Sequence, residues 1–281
     1  MAGLRKSRAV GDSLELLSPL LAREQVLQQW HQLYSDNGNS GSLQAEQHWQ
    51  AVQRLGLPSS RDEQWKHTGL EGLLEQRFLS PQQSSVTMQQ VRALELPLDA
   101  WRLVFVDGVF QPQLSDREWG PYEVEVEGQF DRGRWPVPIQ PDVFLHLTEA
   151  MAGSRVLVGL AQKTQSAKAL YLLHIASSSS VGLSSSYSSC HFEVGEGASA
   201  TIVEHYASLV DALHFTGTRT SITVGEKARV NHQKLAFEAS SAFHIGHSDL
   251  HLRRAAQVHS QSFLLGAGFC RHRTNARFDS F

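Results

Sequence analysis

FEVGEGASATIVEHY (192–206) is followed at a near-constant interval by ITVGEKARVNHQKL (222–235) and LHLRRAAQVHSQSF (250–263). Aligned on the residue before the turn, Val194 matches Val224 and Leu252, Ala198 matches Ala228 and Ala256, and Ala200 matches Val230 and Val258. The interval is 30 and then 28 residues. Self-similarity at such a period signals a repeat architecture. Within each copy apolar and polar residues alternate. Phe192, Val194, Ala198, Ala200 and Ile202 share one face of the first copy, Ile222, Val224, Ala228 and Val230 of the second, and Leu250, Leu252, Ala256 and Val258 of the third. Period-two alternation about a short polar turn reads as strand, turn, strand. An antiparallel meander or sandwich accommodates the same alternation. The fixed period favours a β-solenoid, a coil in which each rung buries its apolar face on its neighbours.

The chain has 281 residues, enough for one large domain or two smaller ones. A net charge of −3, with no Lys/Arg stripe, argues against nucleic acid as the main partner. Two cysteines, Cys190 and Cys270, do not make a disulfide framework, and a reducing compartment is the default. The basic N-terminus is interrupted by Asp12, Glu15 and Pro19, which is unlike a signal peptide. No run approaches the ~20 apolar residues of a spanning helix, so the expectation is a soluble cytoplasmic protein without a membrane partner.

All six tryptophans lie at or before Trp135, and nine of fourteen histidines at or after His191, so the two ends differ in kind. Residues 1–23 have no clear period. Val26, Leu27, Trp30, Leu33 and Tyr34 follow helical spacing, and a second helix carries Ala45, Trp49 and Val52, with Ser42 as cap and Gly56 as stop. Such an aromatic stripe is ordinary core. Ser80-Pro81 predicts the start of a third helix, ended by Pro97. WRLVFVDGVFQP (101–112) reads as a hairpin about Asp107-Gly108. YEVEVEG (122–128) alternates, and its glutamate row reads as a solvated strand face. DVFLHLTEAMAG (142–153) is a short helix capped by Asp142. The nine serines between 177 and 189 fit a flexible linker and a serine-rich solenoid edge equally well.

The common catalytic signatures are missing: no GxxxxGK[ST], no G-x-G-x-x-G opening a helix, no G-x-S-x-G, HExxH or CxxC. The densest constellation is His244, His247 and His251, with Asp249 among them. On a helix these histidines would form one stripe able to bind a transition metal. On a strand His244 and His247 point to opposite faces, and the surroundings are β. His251 then lies outside the coil. His232 shares parity with Ala228 and Val230 and reads as a hydrogen-bonded core histidine. Cys190 and Cys270 read as small hydrophobic fillers.

EQWKHTGLEGL (63–73), LVFVDGVFQPQLS (103–115), DVFLHLTEAMA (142–152), the block 204–238 and HSQSFLLG (259–266) resemble the SufB/SufD family. The paucity of cysteine is similar to its D-type member, SufD, a component of the SufBCD scaffold for iron–sulfur clusters. The resemblance runs from about Val26 to about Thr274. It implies mainly β with α: a right-handed parallel β-helix (solenoid) core preceded by an α-helical N-terminal region. It further implies pairing with a SufB-like subunit, binding of a SufC-like ATPase through a C-terminal helical domain, and support of iron acquisition.

On this reading 1–97 is the helical region, 98–153 a mixed hairpin/helix connection, and 154–281 the β-helix core, C-terminally truncated. The family continues well past Phe281, so its cysteine-and-histidine segment and SufC-binding segment have no counterpart. Residues 5–24 look like an insertion. No catalytic, cofactor-binding or metal residue is assigned to this chain, and the complex rather than the chain handles the cluster. The expected role is a non-enzymatic scaffold. The rivals are a β-helix carbohydrate-active enzyme, for which Asp249, Arg253 and Arg254 are the one suggestive local group, and a nonfunctional truncated remnant.

Overall fold

A computed structural model describes residues 7–36, 42–81, 85–127, 134–177 and 182–279. The chain enters through helices α1 (Ser7–Asp36) and α2 (Leu43–Leu55), then α3 (Glu71–Leu74), strand β1 (Phe78–Leu79) and α4 (Met88–Leu94). A hairpin follows, β2 (Ala100–Val106) and β3 (Val109–Phe110), then β4 (Tyr122–Val126) and α5 (Val143–Met151). The remaining strands alternate between two sheets. One holds β5 (Ser154–Leu160), β7 (Leu183–Val194), β9 (His214–Val224), β11 (Phe243–Leu252) and β13 (Phe269–Phe278). The other holds β6 (Ala169–Ala176), β8 (Ser199–Ser208), β10 (Arg229–Phe237) and β12 (Gln257–Leu264).

Successive strands within each sheet are parallel, so the two sheets form a β-solenoid of about four turns. The alignment read from the repeats is the register of the sheets. Val194 pairs with Val224 and Val224 with Leu252, while Ala200 pairs with Val230 and Val230 with Val258. A meander or sandwich is thereby ruled out.

The repeated turns stack as well. Ala198, Ala228 and Ala256 each donate their amide to the residue three before, at 3.0–3.1 Å. The third residue of each turn is left-handed: Gly197 (φ 63), Lys227 (φ 58) and Ala255 (φ 55). Only the first copy has the residue suited to that conformation.

Three apolar clusters result. One fills half of the coil interior with Phe192, Val194, Ile222, Val224 and their neighbours. A second lies on the outer face of the β7–β9–β11 sheet, where Trp30, Trp49, Phe144 and Leu147 from the helices meet Tyr187, Phe215 and Ile245. The third covers the other sheet beneath α4. Burial of such aromatic and aliphatic surface, roughly 25 cal/mol per Å², holds the helices to the solenoid.

Local chemistry explains where helices begin. Asp142 accepts from the amides of Phe144 and Leu145, as its capping role predicts. The third predicted helix starts later than Ser80-Pro81, because Thr87 and Gln90 form a reciprocal capping box that opens α4. The first helix reaches back to Ser7, beyond the spacing that begins at Val26. Asp107 (φ 48) and Gly108 (φ 81) make the predicted hairpin turn. Leu183 to Ser189 lie within β7 and are buried there, which favours the solenoid reading of the serine-rich stretch. Residues 178–181 of that stretch lie outside the described residues. Among the described residues no helix is long and apolar enough to cross a membrane.

The turn geometry yields a prediction. Ala255→Gly relieves a left-handed alanine and raises unfolding free energy in urea by about 0.5–1 kcal/mol. Gly225→Ala places a Cβ 2.7 Å from backbone atoms of Gly195 and Glu196, and lowers it by about 1–3 kcal/mol. Shifts of the same sign in both variants would contradict the stacked-turn geometry.

Candidate functional site

Inward parity continues past the apolar repeats into a polar half of the coil. After Ala200 and Ile202, the next inward residues of β8 are Glu204 and Tyr206. After Val230, β10 turns His232 and Lys234 inward. From the facing sheet come His214, Thr216, Thr218 and Thr220 of β9 and His244 and Ser248 of β11. All of these side chains are buried, Lys234 and His232 at 0 % exposure.

Two carboxylates organise this compartment. Glu204 Oε1 lies 2.6 Å from His232 Nε2; its Oε2 accepts from Thr220 Oγ1 at 2.7 Å and from the Tyr206 hydroxyl. Lys234 Nζ stands 3.6 Å from the same oxygen and 5.3 Å from the centre of the Tyr206 ring. Burial alone would raise the Glu204 pKa; the Lys234 charge and the His232 bond outweigh it and hold the carboxyl well below its ordinary range. Glu238, at the corner after β10, lies 2.6 Å from His244 Nδ1 and 3.3 Å from His214 Nε2, and accepts from Thr216 Oγ1 at 2.5 Å. Burial is again outweighed, here by the two histidines, and this carboxyl is also held low. An unpaired buried carboxylate costs several kcal/mol, so each needs this saturated partner set.

His174 of β6 lies between the rings of Phe105 and Tyr206, with centroids 4.5 Å from each. Burial lowers its pKa to about 3. Burial raises the Cys190 thiol strongly and lifts Cys270 to about 11, so both are held as thiols rather than thiolates.

The outer face carries a second charged cluster. Arg219, buried on β9, donates to Glu149 Oε1 of α5 at 3.0 Å and to the Pro136 carbonyl at 2.8 Å, and lies 3.6 Å from Asp249. Glu149 also meets Arg155 at 3.5 Å and accepts from Ser189 at 2.6 Å. Burial would raise Glu149, but the two arginines hold it at about 2. This clasp ties α5 and the strap after residue 134 to the solenoid.

The predicted histidine group is divided by the strand. His244 points inward to Glu238, whereas His247 points outward to Asp142 at 3.0 Å, and His251 is half-buried on that outer side. Among the described residues no three His, Cys, Asp or Glu side chains are placed to hold a metal ion. Asp249 is sealed against Arg219, while Arg253 and Arg254 are exposed at a turn on Asp279 and Glu226. They form no common groove. Of the glutamate row, Glu125 of β4 is ion-paired with Arg134 and Glu127, just past the strand, with Arg155, each at 2.8 Å. His232 is the buried, hydrogen-bonded histidine its parity predicts, bridging Glu204 and Ser260.

Glu204, Lys234, Glu238, Arg219 and Glu149 escape a reading based on apolar alternation. Parity alone marks the first two, each two residues beyond an inward position.

Residues 174–280 match the family described as SUF system FeS cluster assembly, SufBD core domain. The chain is 43 % identical over 256 residues to the iron-sulfur cluster assembly protein SufD of Escherichia coli (strain K12). That alignment covers 90 % of this chain and 60 % of the relative, so the chain spans less than two thirds of the relative's length.

The buried histidines predict acid sensitivity. Unfolded, a histidine takes up its proton near pH 6.5. Folded, His174 resists until about 3 and His205, also lowered by burial, until about 4. Between those limits the unfolded chain binds more protons, so stability is present above pH 6.5 and is lost as pH falls. Urea unfolding of His174→Phe across pH 7 to 4 should show a slope shallower by up to ~1.4 kcal/mol per pH unit. An unchanged slope would refute the buried neutral imidazole.

Proposed function

Because the chain is SufD-like, we propose that it is a non-catalytic scaffold subunit of iron–sulfur cluster assembly. It works in the cytoplasm beside a SufB-like subunit and a SufC-like ATPase. The observation that carries this reading is identity extending through both the N-terminal helices and the solenoid, beyond the matched core domain. The non-catalytic part draws support from the site itself. The charged groups inside the coil neutralise one another and are closed off from solvent, and both thiols are held protonated. The cluster is cargo of the assembly, and no residue of this chain is assigned as its ligand.

The test is genetic. In cells lacking SufD and dependent on Suf for their clusters, expression of this chain should restore aconitase activity at least severalfold over the empty vector. Activity that stays at the vector level, with the chain folded and abundant, would overturn the proposal.

A further inference from the structure

One level of the coil interior is filled by residues too small for it. On β9 the inward residues are Thr216 and Thr218; their in-register neighbours on β7 are Ser186 and Ser188, each one methyl smaller. From the facing sheet come His174 of β6 and its in-register neighbour Tyr206 of β8. Between them lies a cavity lined by Ser186, Ser188, His174, Tyr206, Thr216 and Glu238. About 10 Å³ of it is open to the centre of a water molecule, the lower limit for holding one. Its rim at Gly108 and Ala176 is partly exposed, which provides an entry path.

His174 meets this cavity with one edge to satisfy. Phe105 and Tyr206 stack on its ring, each with centroids 4.5 Å away and planes within 16° of parallel. Only the ring edge can therefore reach a polar partner. Among the described residues no group hydrogen-bonds to its Nε2, although the atom is buried. Buried polar atoms are normally paired, with protein or with ordered water.

We propose that this cavity is a binding site for one ordered water molecule, held by His174 Nε2 and the hydroxyls of Ser188 and Ser186. Burial keeps the imidazole neutral. A water satisfies either neutral tautomer, accepting from an N–H or donating to a lone pair, so the site requires no particular one. The Ser188 hydroxyl both donates and accepts. Ser186 directs its own proton to the Phe215 carbonyl at 3.4 Å, which leaves its oxygen free to accept. Those three groups fall within the two to four partners that an internal water makes. Cavities that stay dry are apolar, and this one is walled by hydroxyls, an imidazole edge and a carboxylate. Glu238 already accepts from Thr216 at 2.5 Å and lies 2.6 Å from His244, so it borders the site without being needed to hold the water. The water joins β6 to β7 across the coil, and the small inward serines of β7 are what make room for it.

This inference is independent of the cluster-assembly reading. Replacing Ser186→Thr together with Ser188→Thr gives β7 the methyls that β9 carries and fills the cavity while keeping both hydroxyls. Oxygen-17 magnetic relaxation dispersion counts long-lived internal waters in the purified chain, and the double variant should count one fewer than the parent; an equal count contradicts the site. A crystal structure of the parent chain should show one density within hydrogen-bond distance of His174 Nε2 and Ser188 Oγ, without anomalous signal at the iron or zinc edge. A dry cavity, a protein group bonded to Nε2 in place of water, or an anomalous peak marking a metal would overturn the proposal. The parent crystal structure decides by itself if the double variant fails to fold.

Discussion

Parallel, in-register stacking is the constraint on which the rest of this molecule depends. Once Val194, Val224 and Leu252 are stacked, the pleat assigns every other residue of three strands to the interior. A slip by one residue would drive Arg219 and Asp249 into the coil and expel Ile222 and Leu250. The apolar half of the interior opposes such a slip through its burial. The polar half opposes it through hydrogen bonds, because Glu204 and Glu238 find their partners only in this register.

The same parity builds the outer face. Tyr187, Phe215 and Ile245 project outward in succession and receive the helices. Arg219 projects among them and meets Glu149 and the Pro136 carbonyl, adding direction to a contact that apolar burial alone leaves loosely oriented. Asp142 serves twice, capping α5 and receiving His247. Burial would raise its pKa, yet His247, the helix amides and Arg273 hold it at about 2. The helix start is thus tied to the sheet it covers.

Much of this fold is legible in the sequence because its repeats are spelled in apolar letters. Val194, Val224 and Leu252 announce their register directly, and Asp107-Gly108 announces its turn. Strand parity also separates His244 from His247. The polar interior is harder to read, since a buried Lys234 or Glu204 looks like an ordinary surface residue until its neighbours' parity is extended. Contacts such as Arg219 to Glu149 join residues 70 positions apart, and no local pattern announces them. The serine-rich strand is ambiguous for a related reason: small hydroxyls suit a loop as well as a crowded interior, where Ser186 and Ser188 lie in register beside Thr216 and Thr218.

The solenoid presents closed, paired charges within and a helical layer outside, and the proposed scaffold role rests on how that layered body meets partners. The most direct test is affinity purification of the tagged chain from cells co-expressing SufB-like and SufC-like subunits, followed by mass measurement of the eluate. The account predicts one species containing all three subunits in fixed ratio. A folded chain that elutes alone, with both other subunits soluble and abundant, would contradict it.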